Sequence, residues 1–286
     1  MQKEKGRFFA YAAGATFEKV DKTTAQSKCE HSAQPFDKPK FEIIKKEKNM
    51  KILSLDSTAI VSTVAITEDE KLLAQFSINN GNTHSETLLP MIESCLKVLK
   101  LTIDDIDLFA CSAGPGSFTG VRIGAATIKG IAFNRNKPCA PVSSLDALAH
   151  NLLYANGIVC PVMNARRNQL YNALFLCENG KLTRICDDRL VSVFDLEEEL
   201  KAYRDGKIYL CGDGYDIVKN NFSKIDTENT PLIHQYQSAY SVALCALEAA
   251  KQELLTTDIE LSPVYLRASQ AERERLEKLE AEKKGQ

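Results

Sequence analysis

The stretch MKILSLDSTAIVSTVAI, Met50 to Ile66, reads as a strand, a tight turn and a second strand, with a buried-strand pattern at full strength from its first residues. A second stretch, IVCPVMNARRNQLYNALFL from Ile158 to Leu176, repeats strand, turn, strand. Outward from the first, Leu72 to Ile78 predicts a third strand and HSETLLPMIESCLKVLK a helix. DLFACSAG predicts a strand, TGVRIGAATIKGIAFN a helix, CAPVSS a strand and SLDALAHNLLYA a helix. Outward from the second, LTRICDDRLVS predicts a third strand, FDLEEELKAY a helix, KIYLCGDG a strand ending in glycines, and SAYSVALCALEAAKQELL a late helix. The order βββαβα therefore occurs twice, with Asp56 and Asn164 in corresponding turns and Gly114 and Gly212 after corresponding strands.

Such a duplication is the plan of the actin, sugar-kinase and Hsp70 superfamily. The expected fold class is α/β, two duplicated actin-like (ASKHA, RNase H-like) domains. They divide the chain into an extension over 1–49, an N-terminal domain over 50–157, a C-terminal domain over 158–267 and a charged tail over 268–286. In that superfamily the first hairpin of each domain supplies phosphate loops and a metal-orienting carboxylate. Here the two turns read DSTAI and NARRN, without a glycine to let consecutive N–H groups approach an anion. Asn164 is neutral, a weaker ligand for a hard cation than a carboxylate. Arg166 and Arg167 fit either a phosphate clamp or an ordinary solvated or ion-paired hairpin.

Other constellations are sparse. His31, His84, His150 and His234 show no HExxH or HxxxH spacing. Ser117 lies in GPGSFTG, not GxSxG, and reads as a helix cap. The nine cysteines, Cys29, Cys95, Cys111, Cys139, Cys160, Cys177, Cys186, Cys211 and Cys245, stand singly with no CxxC pair, which suits a reducing, cytoplasmic compartment. KEKGRFFAYAAGA has the basic start and small residues of a signal peptide, but its apolar core is at the short limit and the free cysteines argue against export. No apolar run approaches the ~18 residues a membrane span needs. The first 49 residues are polar and aperiodic, a flexible extension, and Met50 reads as the natural start. Residues 50–286 hold 25 Lys and Arg against 31 Asp and Glu, so the body lacks the basic footprint of a protein that grips nucleic acid unaided.

GPGSFTGVRIGAATIKG, Gly114 to Gly130, poses one question: whether its glycine turn and helix N-terminus hold a phosphate. The same residues serve any strand-to-helix turn.

Taken in order, MKILSLDSTA, HSETLLPMI, AGPGSFTGVRIG, PVSSLDALA, NARRNQLY and PVYLRASQAERE resemble the TsaB (YeaZ) family, over residues 50 to about 275. Its motif residues map here to Asp56, Gly114, Gly116, Ser117, Phe118, Thr119, Gly120, Arg122, Arg166 and Arg267. The pattern departs at Asn164, where Asp is usual, and at Gln169, where Glu is common. The resemblance implies a scaffold without catalytic residues of its own, in the complex that makes N6-threonylcarbamoyladenosine at position 37 of tRNAs reading codons beginning with A. Its partners would be a TsaD-like transferase and a TsaE-like ATPase, with ATP and metal on those subunits, no cofactor here, and tRNA met only within the complex. On that reading GPGSFTG starts a contact helix. Gly120, Gly124, Thr127 and Ile131 share one side of it, and the preceding helix spreads Leu88, Met91, Ile92 and Cys95 among apolar residues wider than one buried face requires. With His84 these are the expected partner-interface residues, which a homodimer would also cover. An ATP-dependent kinase of this fold and a glycoprotease-like peptidase are the alternatives.

Overall fold

A computed structural model describes residues 49–267, so the expectations for the extension up to residue 48 and for the tail from 268 lie outside the described residues. The first sheet is built on β1 (Lys51–Asp56), which pairs antiparallel with β2 (Ser62–Glu68); β2 pairs antiparallel with β3 (Lys71–Ile78). On its other edge β1 pairs parallel with β4 (Leu108–Gly114), and β4 with β5 (Cys139–Ser143), giving the order β3-β2-β1-β4-β5. The second sheet repeats the plan with one strand fewer. The strands β6 (Gly157–Asn164), β7 (Gln169–Glu178) and β8 (Lys181–Ser192) form the meander, β9 (Ile208–Cys211) pairs parallel with β6, and the order is β8-β7-β6-β9. Each sheet thus carries the RNase H-like arrangement expected from the duplicated sequence.

Burial on both faces explains why the central strands read as continuous apolar runs. Leu53, Leu55, Phe109 and Cys111 point one way, into a core closed by α1 (His84–Leu99) and α2 (Phe118–Ala132). Ile52, Leu108 and Ala110 point the other way, onto α7 (Ala239–Lys251), whose Val242, Ala243, Ala246 and Leu247 cover them. Ser54, a polar residue of β1 on that side, is satisfied: its hydroxyl donates to the Ala239 carbonyl at 2.7 Å. So α7, which follows the second sheet in the chain, packs on the first.

Between the sheets lies α3 (Ser144–His150), which serves both cores: Ala147 joins the one under α7, while Leu145 and Leu148 pack on Val159, Met163 and Phe175 of the second sheet. The far face of that sheet is closed by α4 (Val193–Leu200) and α5 (Tyr215–Asn221), a short helix that the sequence pattern did not resolve; α6 (Leu232–Gln235) is a single turn. Eight described cysteines are free thiols in or beside these cores, and burial pushes Cys95 up to about 11 and Cys160 up to about 12, so neither is a thiolate at neutral pH. Among the described residues no helix is long and apolar enough to cross a membrane.

Candidate functional site

The C-terminal ends of β1 and β4 meet the start of α2, and the chain fills that junction with its own polar groups. Asp56 is fully buried. One carboxylate oxygen accepts from the Thr58 amide at 2.8 Å and the Thr58 hydroxyl at 2.7 Å; the other accepts from Ser112 at 2.5 Å. Burial pushes its pKa upward, against the opposing pull of the Ser112 and Thr58 hydrogen bonds. The aspartate that sequence places at a phosphate loop is therefore committed to holding a turn. Ser112, its partner, escaped the sequence reading; a polar residue in the otherwise apolar FACSAG was the available signal.

The question raised by GPGSFTG has a geometric answer. The Ser117 amide donates to the Thr58 carbonyl at 2.7 Å, and the Ser57 hydroxyl donates to the Gly120 carbonyl at 2.9 Å. A β-carbon on Gly116 would stand 2.5 Å from the Thr58 carbonyl oxygen, and one on Gly120 would collide with that of Ser57. The glycines thus let the chain's own carbonyl oxygens, not an anion, approach the N-terminus of α2. Ser117 caps the helix, accepting from the Gly120 amide at 3.3 Å, as expected.

A second polar junction lies at the β6–β7 turn. Asn164 accepts from the Arg166 amide at 2.8 Å, and Arg166, Arg167 and Asn168 all have left-handed backbones, at φ 64°, 55° and 56°. Three consecutive non-glycine residues in that region are uncommon and cost conformational energy. The Asn164 amide donates to Asp213 at 3.1 Å. Burial, and to a lesser degree the charge of Asp56, raise the Asp213 pKa to about 6.

One segment, Ser262 to Arg267, ties the two junctions together. Its Val264 amide donates to the Ala113 carbonyl at 2.7 Å, and the Val264 carbonyl lies against Gly114, whose φ of 115° suits glycine. Tyr265 stacks on Phe118 with ring centroids 4.5 Å apart and accepts from Arg122 Nε at 2.9 Å, while the Arg122 guanidinium lies 3.9 Å over the Phe118 ring. Arg267 Nη1 donates to the Ala165 carbonyl at 2.7 Å. The motif residues Asp56, Gly114, Gly116, Ser117, Phe118, Thr119, Gly120, Arg122, Arg166 and Arg267 accordingly gather at this end of the molecule.

The residues expected to meet a partner do not stay together. Leu88, Met91, Ile92 and Cys95 are buried in the chain's own core, and this corrects their assignment to a contact surface: the apolar width of α1 is spent on β-sheet and α2 together. Gly120 and Gly124 face inward as well. A β-carbon on Gly124 would lie 2.7 Å from Ser57 Oγ and 3.1 Å from Leu55 Cδ1, so the close approach is to β1 and its turn, not to a foreign helix. His84 is half-buried, one ring nitrogen 2.8 Å from the Ala59 carbonyl. Thr127 and Ile131 are half-exposed, and the exposed apolar residues of these helices are ones outside the expected interface set, Leu89 at 56% and Val98 at 68%, with Phe133 just beyond α2 at 70%.

A family model described as TsaD: tRNA N6-adenosine threonylcarbamoyltransferase matches residues 71–275. The tRNA threonylcarbamoyladenosine biosynthesis protein TsaB of Bacillus subtilis is 29% identical over 224 residues, spanning 78% of this chain and 96% of that protein. The protein of the same name from Buchnera aphidicola subsp. Baizongia pistaciae is 35% identical over 231 residues, 75% of this chain and 97% of its own length. In structure the fold is that of YeaZ from Pseudomonas aeruginosa, with a TM-score of 0.65 at 22% identity over 76% of this chain and all of that one.

Proposed function

Because the chain belongs to the TsaB (YeaZ) family, we propose that it works in the biosynthesis of N6-threonylcarbamoyladenosine in tRNA, as a non-catalytic subunit that binds and supports a TsaD-type transferase. ATP and metal belong to the partner subunits, a TsaE-type ATPase joins them, and the assembly works in the cytoplasm. One observation carries the supporting role: the carbonyl oxygens of Ser57 and Thr58 crowd the N-terminus of α2, where relatives that turn over nucleotides would need an anion. An oxygen already seated there repels phosphate, and the Ser117 and Gly120 amides are spent on the Thr58 carbonyl and the Ser117 hydroxyl. The buried Asp56, which accepts three hydrogen bonds, supports the same conclusion, since a carboxylate tied to Thr58 and Ser112 has little left with which to order a metal.

The partner surface is then the outward side of α2, centred on Ala126 and Gly130 with Thr127 and Ile131 at its margin, extended by Leu89 on an exposed flank of α1. Without the transferase, two-fold self-association would cover the same residues.

Calorimetric titration of the isolated chain with Mg-ATP tests the absence of a nucleotide site. Binding tighter than about 10 μM, equivalent to roughly −7 kcal/mol, would revive a kinase-like role. Co-purification from the native host tests the rest: a TsaD-type subunit is the expected companion, and its absence from the recovered complex would overturn the assignment.

A further inference from the structure

The described arginines fall into two groups. Arg135 pairs with Asp104, Arg184 with Asp146 and Asp188, Arg189 with Glu199, and Arg204 with Asp205. Arg122, Arg166, Arg167 and Arg267 have no carboxylate within ion-pair distance among the described residues, and these four are the ones gathered around the Ser262–Arg267 segment. Of the acidic residues nearby, Asp56 is fully buried on Thr58 and Ser112, and Asp213 accepts from the Asn164 amide.

We infer that this arginine face is a contact for RNA phosphates, made by a chain whose body is otherwise acidic. The inference rests on the proposed role in tRNA modification, which makes RNA the polyanion at hand. Each guanidinium is presented for such a role. Stacking on Phe118 fixes the plane of Arg122, and Tyr265 occupies only its Nε, leaving both terminal amino groups for a bidentate phosphate contact. Arg267 is anchored through Nη1 to Ala165, at the base of the turn that carries Arg166 and Arg167. The left-handed run over 166–168 lifts those two exposed side chains from the hairpin tip, and backbone strain of this kind persists where surrounding structure over-determines it. Tyr265, 41% exposed, adds a ring on which an unpaired base can stack. The contacts are to the backbone, so the face confers affinity without sequence preference.

The test uses the full-length chain alone, with an unmodified tRNA transcript as the probe, in a filter-binding or anisotropy titration over a salt series. The variants are Arg166→Asn with Arg167→Asn, chosen because Asn tolerates the left-handed backbone, and separately Arg122→Gln. Melting temperatures serve as the folding check. The wild-type chain should bind weakly and with strong salt dependence. The double variant should lose about tenfold in affinity, and the slope of log affinity against log salt should fall by about 1 for each contact removed. Wild-type failure to bind the transcript, or variants with unchanged affinity and slope, would overturn the inference. So would variants that keep their RNA affinity but no longer capture the transferase subunit, which would give the arginines to a protein partner. If the RNA results are as expected while the chain neither binds a transferase nor supports the modification, only the proposed function falls.

Discussion

At the scale of single residues, Gly124 and Asp213 carry the most informative changes. Gly124→Leu drives a side chain into Ser57 and Leu55, and overpacking of this kind costs ~1–3 kcal/mol. A fall in melting temperature of a few degrees is expected, with partner binding retained by the folded fraction; an unchanged melting curve would mean that Gly124 faces open space. Asp213 makes a prediction about pH. Its folded pKa of about 6 lies above the ordinary carboxylate value of 3.8, so the folded chain holds this proton more tightly than the unfolded one does. Stability contributed by the group is full below about pH 4 and is lost as pH rises through 6. Asp213→Asn keeps the oxygen that accepts from the Asn164 amide and removes the charge. It should raise stability at pH 7.5 by about 1–2 kcal/mol, less than the full shift implies because the group is only partly shielded from solvent. The gain should vanish by pH 4; an equal gain at both pH values would refute the assignment. Asp213 itself was legible only as the middle of a glycine pair after a strand, because no local pattern reveals that a loop carboxyl will be buried against a turn almost fifty residues upstream.

At the scale of elements, the strands and main helices followed directly from residue spacing, since periods of 2 and 3.6 are imposed by backbone geometry alone. Which neighbour each face meets was not legible. Eight apolar residues on α1 suggested more surface than one sheet could cover, yet β-strands and α2 together take Leu88, Met91, Ile92 and Cys95. The two helices must be distinguished by their exposed positions instead. Met91→Lys buries an unpaired ammonium and should unfold much of the protein, a cost of several kcal/mol. Leu89→Lys, at a position 56% exposed, should change stability by no more than about 0.5 kcal/mol and abolish transferase binding. Measuring both quantities on both variants checks the pair, and wild-type partner binding by a folded Leu89→Lys protein would remove α1 from the interface. The Ser262–Arg267 segment shows the same limit of sequence: its PVYLR residues stand out, but nothing in them names Ala113, Phe118 or Ala165 as their destinations.

At the scale of the whole molecule, the two repeated halves are not self-sufficient. A chain ending at residue 261 loses the Val264 bond to Ala113, the Tyr265 stack and the Arg267 bond to Ala165 at once. Net hydrogen bonds of about 0.5–1.5 kcal/mol each, with the stacking added, put the expected loss at ~2–4 kcal/mol, read as an earlier urea midpoint. An unchanged midpoint would show that the segment only lies on the surface. The placement of α7 reaches further, into synthesis of the chain. Ile52, Leu108 and Ala140 leave the ribosome long before Val242, Ala243 and Leu247, the residues that cover them. At ~5–20 residues per second, the roughly 100 residues from Ala140 to Val242 take about 5–20 s to emerge. Throughout that interval the nascent first sheet presents a bare apolar face, and it closes only when the last described helix is translated.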